Sequence, residues 1–367
     1  MIVPFVDLHQ QYLGLKKEVD ETISDVISNS DFIRGRHTAP FEREFAALVG
    51  VEHCISCGNG TDALYIAMRA LGTVPGDEVI TTAHSWISTS ETISQTGAQV
   101  VFCDTNIRTF NIDVQQVLEK ITPMTKGIIA VHLCGQPADV DTLRKIADER
   151  GLWLIEDCAQ AHQAILNGKR VGTYGDISTF SFYPGKNLGA MGDAGCVVTN
   201  NESLANWMEL FARHGGKGDH QIEGINSRLD GMQAAILRVK LPHLEEWTKA
   251  RQRAARLYDN LFDGIDCIEA PWVDPNRDHV YHLYMIKTDN RDSLQQYLKS
   301  RGISTVINYN KALPFYKAYA KLGHDSSDFP NAFENQGRIL SIPIFPEITE
   351  AQQNYVVDEI KAFLSKK

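Results

Sequence analysis

Between residues 51 and 199, short apolar segments alternate with segments of helical periodicity. Apolar runs too short for helices, each followed by an amphipathic stretch, are typical of strands joined by crossover helices. Such connections place neighbouring strands parallel and put helices on both faces of the sheet. The alternation therefore predicts an α/β domain built on a mostly parallel sheet. Its expected strands are residues 78–81, 100–103, 127–131 and 152–155, and its expected helices are residues 86–95 and 140–150.

The last third of the chain follows a different pattern. Apolar residues recur on one face of residues 244–262, which predicts a long helix, and an amphipathic segment at residues 350–364 predicts a terminal helix. No Pro/Ser-rich linker and no internal repeat interrupts the 367 residues. We therefore expect two closely packed domains, a large one with an N-terminal arm over residues 1–250 and a smaller α+β domain over residues 251–367.

One lysine lies in a turn broken by glycine and proline, between two short β-rich runs. Its segment is SFYPGKNLG (residues 181–189), and an apolar run follows at residues 195–199. It is not a P-loop, because Phe180 stands where that motif requires its first glycine and Asn187 replaces the serine or threonine. Most lysines are solvated, and Lys186 taken alone could be one of them. The alternative is an amine held at the end of a sheet, where a Schiff base could form.

Two upstream segments have the patterns of further parts of a cofactor site. Residues 151–157 have the pattern of a buried strand that ends in Glu156 and Asp157, and ligands of open α/β sheets bind beyond such strand ends. The turn CGNGTDAL (residues 57–64) leads from a short strand into a helical pattern. Backbone N–H groups at that helix start, with the Thr61 hydroxyl, could bind a phosphate. An ordinary helix cap by Thr61 or Asp62 is the alternative.

Trp86 follows the expected strand at residues 78–81 and begins a helical segment. Its indole could stack on a flat heteroaromatic ring, although a core tryptophan is the commoner case. Pyridoxal 5′-phosphate requires an amine for its imine, an acid beside its ring nitrogen, a phosphate site and a stacking surface. Lys186, Asp157, the Thr61 turn and Trp86 supply these four requirements in one chain. We therefore predict pyridoxal phosphate as the cofactor.

The same segments resemble those of the DegT/DnrJ/EryC1/StrS family of sugar aminotransferases, which are fold-type I pyridoxal phosphate enzymes. The resemblance covers nearly the whole chain and is carried by FIRG (residues 32–35), GTDAL (60–64), VHLCGQ (131–136), EDCAQAH (156–162), SFYPGKNLG (181–189) and GINSRLD (224–230). It implies an aspartate aminotransferase-like large domain with a mostly parallel central sheet, and a smaller α+β C-terminal domain.

The resemblance also implies roles for individual residues. Lys186 would form the imine, Asp157 would pair with the pyridine nitrogen, and Gln160 would lie near the ring hydroxyl. The remaining cofactor contacts would come from Trp86 against the ring, from Gly60, Thr61 and Ser181 at the phosphate, and from Asn226 of a neighbouring subunit. A homodimer with shared active sites is therefore expected.

Within this family, a lysine at position 186 favours transamination, because related dehydratases carry a histidine there. The segments NGTDAL, YPGKNLG, NSRLD and ALPF resemble enzymes that aminate C3 of dTDP-linked 3-keto-6-deoxyhexoses. We expect transfer of the amino group of L-glutamate to such a sugar, giving a dTDP-3-amino-3,6-dideoxyhexose for surface-polysaccharide, lipopolysaccharide or natural-product biosynthesis. C4 amination of a nucleotide-linked 4-keto sugar and a non-catalytic regulatory protein of the same fold are the alternatives.

The chain departs from many relatives at the expected sugar site. It has Asn308-Tyr309-Asn310 where they carry His-Tyr-Pro, and Phe315 where they carry histidine. A role of histidine in sugar binding therefore does not transfer to this chain. Our hypothesis is that Asn308, Tyr309 and Tyr183 line the hexose pocket and contact the hydroxyl at C4. A surface turn is the alternative for the Asn308 segment.

Charge and cysteine content restrict partners and location. The formal net charge of −10 opposes binding to nucleic acid, which requires a basic surface. No apolar run is long enough to cross a bilayer and no signal-peptide pattern is present, so we expect a cytoplasmic protein without a membrane partner. Seven scattered cysteines fit a reducing compartment. Cys54 and Cys57 have a C-x-x-C spacing, but no second pair follows, so packing is favoured and no metal is predicted.

Overall fold

The structure is a computed structural model that describes residues 1–365. Its helices are α1 (Leu8–Asn29), α2 (Thr38–Val49), α3 (Gly60–Ala70), α4 (Ser88–Gln95), α5 (Val114–Lys120), α6 (Val140–Arg150), α7 (Glu202–Phe211), α8 (Gly231–Lys240), α9 (Leu244–Phe262), α10 (Arg291–Ser300), α11 (Pro330–Arg338) and α12 (Glu350–Leu364). Its strands are β1 (His53–Cys57), β2 (Glu78–Thr82), β3 (Gln99–Cys103), β4 (Thr125–Val131), β5 (Trp153–Asp157), β6 (Ile165–Leu166), β7 (Lys169–Arg170), β8 (Ile177–Ser181), β9 (Gly195–Thr199), β10 (Arg277–Asp278), β11 (Tyr284–Lys287) and β12 (Ile339–Ile342).

Seven strands form the central sheet in the order β1-β9-β8-β5-β4-β2-β3. From β8 to β3 all neighbours are parallel. In contrast, β9 runs antiparallel to both β8 and β1. Every strand except β9 therefore points the same way, which confirms the predicted α/β class with a mostly parallel sheet.

Alternate residues of the central strands pack against helices on opposite faces of this sheet. Val79 and Ile155 join a core formed with α3, α4 and α7, whereas their neighbours Ile80 and Leu154 join a core formed with α5 and α6. A third cluster packs α2 and α8 against β8 and β9. Because both faces are covered, these strands have the near-continuous apolar sequences that the prediction used.

A separate hydrophobic cluster unites β11 and β12 with α9, α10 and α12. Val3 belongs to this cluster, since it pairs with Ile303 in a parallel bridge and its N–H donates to the Gly302 carbonyl (2.9 Å). Residues 312–332 contribute instead to the core on the α3 face of the large sheet. The boundary at residue 250 remains a prediction, and it falls within α9. Residues 366 and 367 of the predicted small domain lie outside the described part of the chain.

A short polar side chain caps the helix α3 at the edge of the sheet. Asn59, and neither Thr61 nor Asp62, caps α3, because its Oδ1 atom accepts the Asp62 N–H (2.8 Å). The alternative that Thr61 or Asp62 caps this helix is therefore wrong, and the Thr61 hydroxyl is not used for capping. Within residues 1–365, no helix combines the length and apolar character needed to cross a membrane.

Candidate active site

The carboxyl ends of several parallel strands lie along one edge of the central sheet. β1 ends at Cys57, β2 at Thr82, β5 at Asp157 and β8 at Ser181. β9 begins at this edge, where Gly195 pairs with both Cys57 and Ser181. The segments predicted to bind the cofactor follow these strand ends, so the topology brings them together.

Lys186 lies in a tight turn that follows β8. Its N–H donates to the Tyr183 carbonyl (2.8 Å), and the Asn187 side chain secures the turn by donating to the Val280 carbonyl (3.1 Å). The Lys186 side chain is half-buried. Burial lowers the pKa of its amine to about 8, although the charge of Asp157 acts in the opposite direction. More of this amine is therefore unprotonated near neutral pH than in a solvated lysine.

The two carboxylates at the end of β5 have different surroundings. As adjacent strand residues, Glu156 and Asp157 point to opposite faces. Burial alone would raise the pKa of Glu156, but its hydrogen bonds bring that pKa below its ordinary value. Glu156 is therefore a structural anchor, and Asp157 is the carboxylate left for a ligand. The donors to Glu156 are His132 Nε2, Ser178 Oγ and the backbone N–H groups of Gly172, Tyr174 and Gly175.

His132, Glu156 and Cys158 place possible ligand atoms within 4.8 Å of one another. His132 donates to Glu156 from Nε2 (3.1 Å) and accepts the Ala138 N–H at Nδ1 (2.9 Å), so both ring nitrogens are used. Burial raises the pKa of the Cys158 thiol well above its ordinary value, which keeps the thiol protonated. These donor atoms therefore suit a hydrogen-bonded core better than a metal site. That the chain holds no metal stays a prediction.

Each oxygen of Asp157 accepts one hydrogen bond from the protein. The Ala159 N–H donates to Oδ1 (3.1 Å) and the Thr89 hydroxyl donates to Oδ2 (3.2 Å). Burial raises the pKa of Asp157, whereas the Ala159 hydrogen bond, the charge of Lys186 and the Thr89 hydrogen bond act against this rise. A carboxylate accepts more bonds than these, so Asp157 retains capacity for a further N–H donor.

Gln160, Tyr309 and Trp86 are in one connected group. Gln160 accepts the Cys134 N–H at Oε1 (2.7 Å) and donates from Nε2 to the Tyr309 hydroxyl (3.1 Å). The Tyr309 N–H donates to His84 Nε2 (2.9 Å), and the ring centroids of Tyr309 and Trp86 are 5.6 Å apart. Burial lowers the pKa of His84 to about 4, so it is the neutral acceptor this bond requires. Trp86 is 57% exposed, so it is not a core tryptophan.

The start of α3 and the end of β8 approach each other closely. A Cβ atom at position 60 would lie 2.7 Å from Ser181 Cβ, so only glycine fits there. The Thr61 and Ser88 hydroxyl oxygens are 2.7 Å apart, which joins the first turns of α3 and α4. Ser227 Oγ accepts the Gly58 N–H (2.9 Å) beside the same turn. Hydroxyls and a helix N-terminus therefore converge at the predicted phosphate position.

Other predicted residues have looser placements. Tyr183 is 59% exposed. Asn226, which directly precedes Ser227, is also exposed, so other residues of the same chain cover little of the Asn226 side chain. The Asn308 Oδ1 atom is buried and has no hydrogen-bond partner within the described chain. Roles for these three residues depend on a sugar or a second subunit, and they stay predictions.

Sequence reasoning did not identify Ser85, Thr89, His84 or Asn187 as site residues. Ser85 and Thr89 are four residues apart in the segment that follows β2, and their hydroxyl oxygens are 3.0 Å apart. This spacing between two hydroxyl residues at a helix start was a usable signal. No local pattern indicated His84 or Asn187, because their partners Tyr309 and Val280 are distant in sequence.

The arrangement fits pyridoxal phosphate. Because α3 starts so close to Ser181 at Gly60, the first N–H groups of this helix and the nearby hydroxyls are placed to bind a phosphate. The exposed Trp86 indole is available for stacking. Asp157 has acceptor capacity for a pyridinium N–H, and Lys186 offers an amine of lowered pKa. These are the four groups that this cofactor requires.

Three curated relatives span nearly the whole chain. The "pleiotropic regulatory protein" of Geobacillus stearothermophilus is 44% identical over 99% of both chains. The dTDP-3-amino-3,4,6-trideoxy-alpha-D-glucose transaminase of Streptomyces venezuelae is 38% identical over 99% of this chain and 97% of its own. The UDP-N-acetyl-3-dehydro-alpha-D-glucosamine 3-aminotransferase of Acidithiobacillus ferrooxidans is 40% identical over 95% of each chain.

Solved structures agree with the fold. S. venezuelae DesV in complex with a ketimine intermediate has a TM-score of 0.95 at 39% identity, over 99% of this chain and 98% of that chain. NtdA of Bacillus subtilis, solved with bound pyridoxamine phosphate, has a TM-score of 0.91 at 30% identity, over 99% of this chain and 85% of that chain. The predicted enzyme class and cofactor class are confirmed by these matches.

The model of the DegT/DnrJ/EryC1/StrS aminotransferase family matches residues 14–361. This span contains every residue predicted for the site, from Gly60 to Tyr309. The chain belongs to the DegT/DnrJ/EryC1/StrS aminotransferase family.

Proposed function

We propose that this chain uses pyridoxal phosphate to transfer the amino group of L-glutamate to C3 of a dTDP-linked 3-keto-6-deoxyhexose. The observation that carries the proposal is that Lys186, whose amine has a pKa of about 8, follows the end of β8 at the same sheet edge where β5 ends at the buried carboxylate of Asp157, whose charge acts on that amine. A relative 38% identical is named a dTDP-3-amino sugar transaminase, which favours this class of acceptor.

Asp157 would hold the ring nitrogen of the cofactor, and Trp86 would cover one ring face. Gln160 would contact the ring hydroxyl, and its position is supported by the bonds that it makes with Cys134 and Tyr309. Gly60, Thr61 and Ser181 would hold the phosphate. Bound pyridoxal phosphate supplies an electron sink for the carbanion that forms when the amino donor loses its α-proton.

Lys186 Nζ would move protons in both halves of the reaction. As a free amine it would take the proton from Cα of glutamate and pass it to the cofactor, and in the second half it would take a proton from the cofactor and deliver it to C3 of the sugar. A pKa of about 8 suits this exchange, because a base works best when its pKa is near the operating pH. Asp157, as an anion, would keep the ring nitrogen protonated throughout.

Asn308, Tyr309 and Tyr183 would form the hexose pocket. The Asn308 Oδ1 atom is buried without a partner, and a sugar hydroxyl would satisfy it. Tyr183 is exposed within the turn that carries Lys186, and Tyr309 lies against Trp86. These positions would contact the sugar at C4, next to the reacting carbon.

We further propose a homodimer with shared active sites. Asn226 is exposed, although it adjoins Ser227, which bonds to the predicted phosphate turn. In a dimer, Asn226 of one copy would reach the phosphate bound by the other. A site completed by a second copy also accounts for the exposure of Trp86 and Tyr183 in one chain.

A regulatory protein without turnover is the second candidate, because a relative 44% identical is named a pleiotropic regulatory protein. The lysine at position 186, together with Asp157 and Gln160, disfavours it, since binding alone does not require a proton-transferring amine. A 40% identical relative that is named for a UDP sugar makes UDP-linked acceptors the nearest enzymatic alternative.

The first experiment follows the near-ultraviolet and visible absorbance of the purified protein, loaded with pyridoxal phosphate, before and after L-glutamate. Conversion to the pyridoxamine form in the wild type, but not in Lys186→Ala, is expected. Asp157→Asn should retain much of the cofactor yet lose most turnover, because an amide provides no negative charge at the ring nitrogen. Wild-type turnover in Asp157→Asn would refute its role, and an absence of any glutamate response would favour the regulatory candidate.

The acceptor is identified by running the second half in reverse. The pyridoxal form is mixed with dTDP-3-amino-3,6-dideoxyhexoses of gluco and galacto configuration, with a dTDP-4-amino sugar and with a UDP-3-amino sugar. Fast conversion to the pyridoxamine form with a dTDP-3-amino sugar alone is expected. Preference for the 4-amino or UDP sugar would overturn the proposed specificity. Equal kinetics of Asn308→His and wild type toward the two configurations would refute a C4-reading role of Asn308.

A further inference from the structure

Thr89 connects Asp157 to a second hydroxyl. It lies in the first turn of α4 and is 1% exposed, and Ser85 is also buried. The Thr89 hydroxyl oxygen is 3.2 Å from Asp157 Oδ2 and 3.0 Å from Ser85 Oγ. Three buried polar groups therefore form one chain of hydrogen bonds that ends at the carboxylate.

The direction of this chain follows from the number of protons available. An ionised carboxylate only accepts, so the single proton of Thr89 is directed to Asp157. The Thr89 oxygen can then only accept from Ser85, which donates its own proton. Aligned donors that end on an anion reinforce one another in a site of low polarity. Ser85 and Thr89 thus both favour the charged form of Asp157.

The surroundings of Asp157 make this donor important. Burial disfavours its anion, and the groups that oppose this effect are the Ala159 N–H, Lys186, Thr89 and His132. The Ala159 N–H holds the other oxygen, Oδ1, at 3.1 Å. With one fixed donor on each oxygen, the carboxylate plane is determined by the protein rather than by the ligand.

We propose that Thr89, supported by Ser85, is a positioning residue that orients the Asp157 carboxylate and keeps it ionised toward the ring nitrogen of the cofactor. This inference rests on the proposed role of Asp157. Thr89 acts through Asp157 and not by contact with the substrate. Its loss therefore affects the chemical steps, which depend on the protonated ring, more than the binding of glutamate.

The test compares Thr89→Val, which keeps the shape and removes the hydroxyl, with Thr89→Ser, which keeps the hydroxyl. Each variant is loaded with pyridoxal phosphate labelled with ¹⁵N in the ring, and the ¹⁵N chemical shift is measured at one fixed pH. The shift reports the fraction of protonated ring nitrogen independently of turnover. The kcat and KM for glutamate are measured in parallel.

We expect Thr89→Val to move the ¹⁵N signal toward the unprotonated value and to lower kcat about tenfold, with little change in KM, because one hydrogen bond to a charged group is lost. Thr89→Ser should retain the wild-type signal and most of kcat. Ser85→Ala should give a smaller effect in the same direction, and it provides the test if Thr89→Val fails to fold.

Two results would overturn the inference. One is a wild-type ¹⁵N signal and kcat in Thr89→Val, and the other is equal impairment of the valine and serine variants, which would assign the effect to packing of the methyl group. Asp157→Asn separates this inference from the proposed function. If Asp157→Asn loses turnover while Thr89→Val does not, only the role of Thr89 is rejected; if Asp157→Asn turns over normally, the role of Asp157 is rejected first.

Discussion

Replacement of Lys186 by methionine should stabilise the ligand-free protein near neutral pH. Lys186 is half-buried, and burial lowers the pKa of its amine from 10.5 to about 8. The folded state therefore holds the charged form less favourably than the unfolded chain does. Methionine has a similar length and no charge, so it removes this cost while still occupying the space.

The size and the pH dependence of the effect follow from linkage. A pKa lowered from 10.5 to about 8 corresponds to about 3 kcal/mol of unfavourable free energy when the amine is charged in both states. Below about pH 8 this cost is complete. Between about 8 and 10.5 the folded protein releases the proton before the unfolded chain does, so wild-type stability rises with pH across this window. The advantage of Lys186→Met should shrink accordingly.

The assay is urea unfolding of ligand-free wild type and Lys186→Met at about pH 7 and about pH 10. Lys299→Met, at an exposed position in α10, is the matched control. We expect a gain of about 1 to 3 kcal/mol for Lys186→Met at the lower pH, a much smaller gain at the higher pH and no such trend in the control. A gain that does not depend on pH, or a loss of stability at both values, would refute the reasoning.

Three further outcomes are expected. Gly60→Ala should weaken pyridoxal phosphate binding by at least about tenfold in equilibrium dialysis, because its Cβ would lie 2.7 Å from Ser181 Cβ and displace the start of α3 from the phosphate position; unchanged affinity would contradict the proposed phosphate site. Glu156→Gln should lower the free energy of unfolding by about 3 kcal/mol, since its amide would face N–H groups that now donate to a carboxylate, and an unchanged urea midpoint would show that these bonds are dispensable. The rate of cofactor incorporation into the ligand-free protein should rise with pH and level off above about 8, because the neutral Lys186 amine is the nucleophile, and a flat stopped-flow profile would argue against that pKa.

Local patterns predicted much of the large domain. The helix expected at residues 244–262 is α9 with the same bounds, and the strands expected at residues 78–81 and 100–103 are β2 and β3 to within one residue. The two strands are short and largely buried and α9 is strongly amphipathic, so the residue pattern of each element shows its period clearly. The return of residues 312–332 to the large core was not predictable in this way. Apolar residues in a segment indicate that the segment is buried, but the sequence does not indicate which hydrophobic core the segment joins.

The residues of the candidate site were likewise predictable only where a local pattern indicated them. Lys186, Asp157 and the Gly60 turn follow strand ends, and parallel strands place such ends together, so order in the chain was enough to associate them. The different roles of Glu156 and Asp157 required the structure, because neighbouring carboxylates look alike until their partners are known. Bonds such as Tyr309 to His84 join segments distant in sequence and left no local signal.

The pairing of Val3 with Ile303 has a consequence for the order in which this protein can assemble during synthesis. During translation Val3 must wait for Ile303, which is made only after the whole large sheet, and the same cluster is closed by α12. The large sheet, in contrast, is complete once β9 has been made. We therefore expect the cofactor-binding sheet to form before the segment around Val3 finds its partner, and that segment to stay unpaired until Ile303 and α12 have emerged.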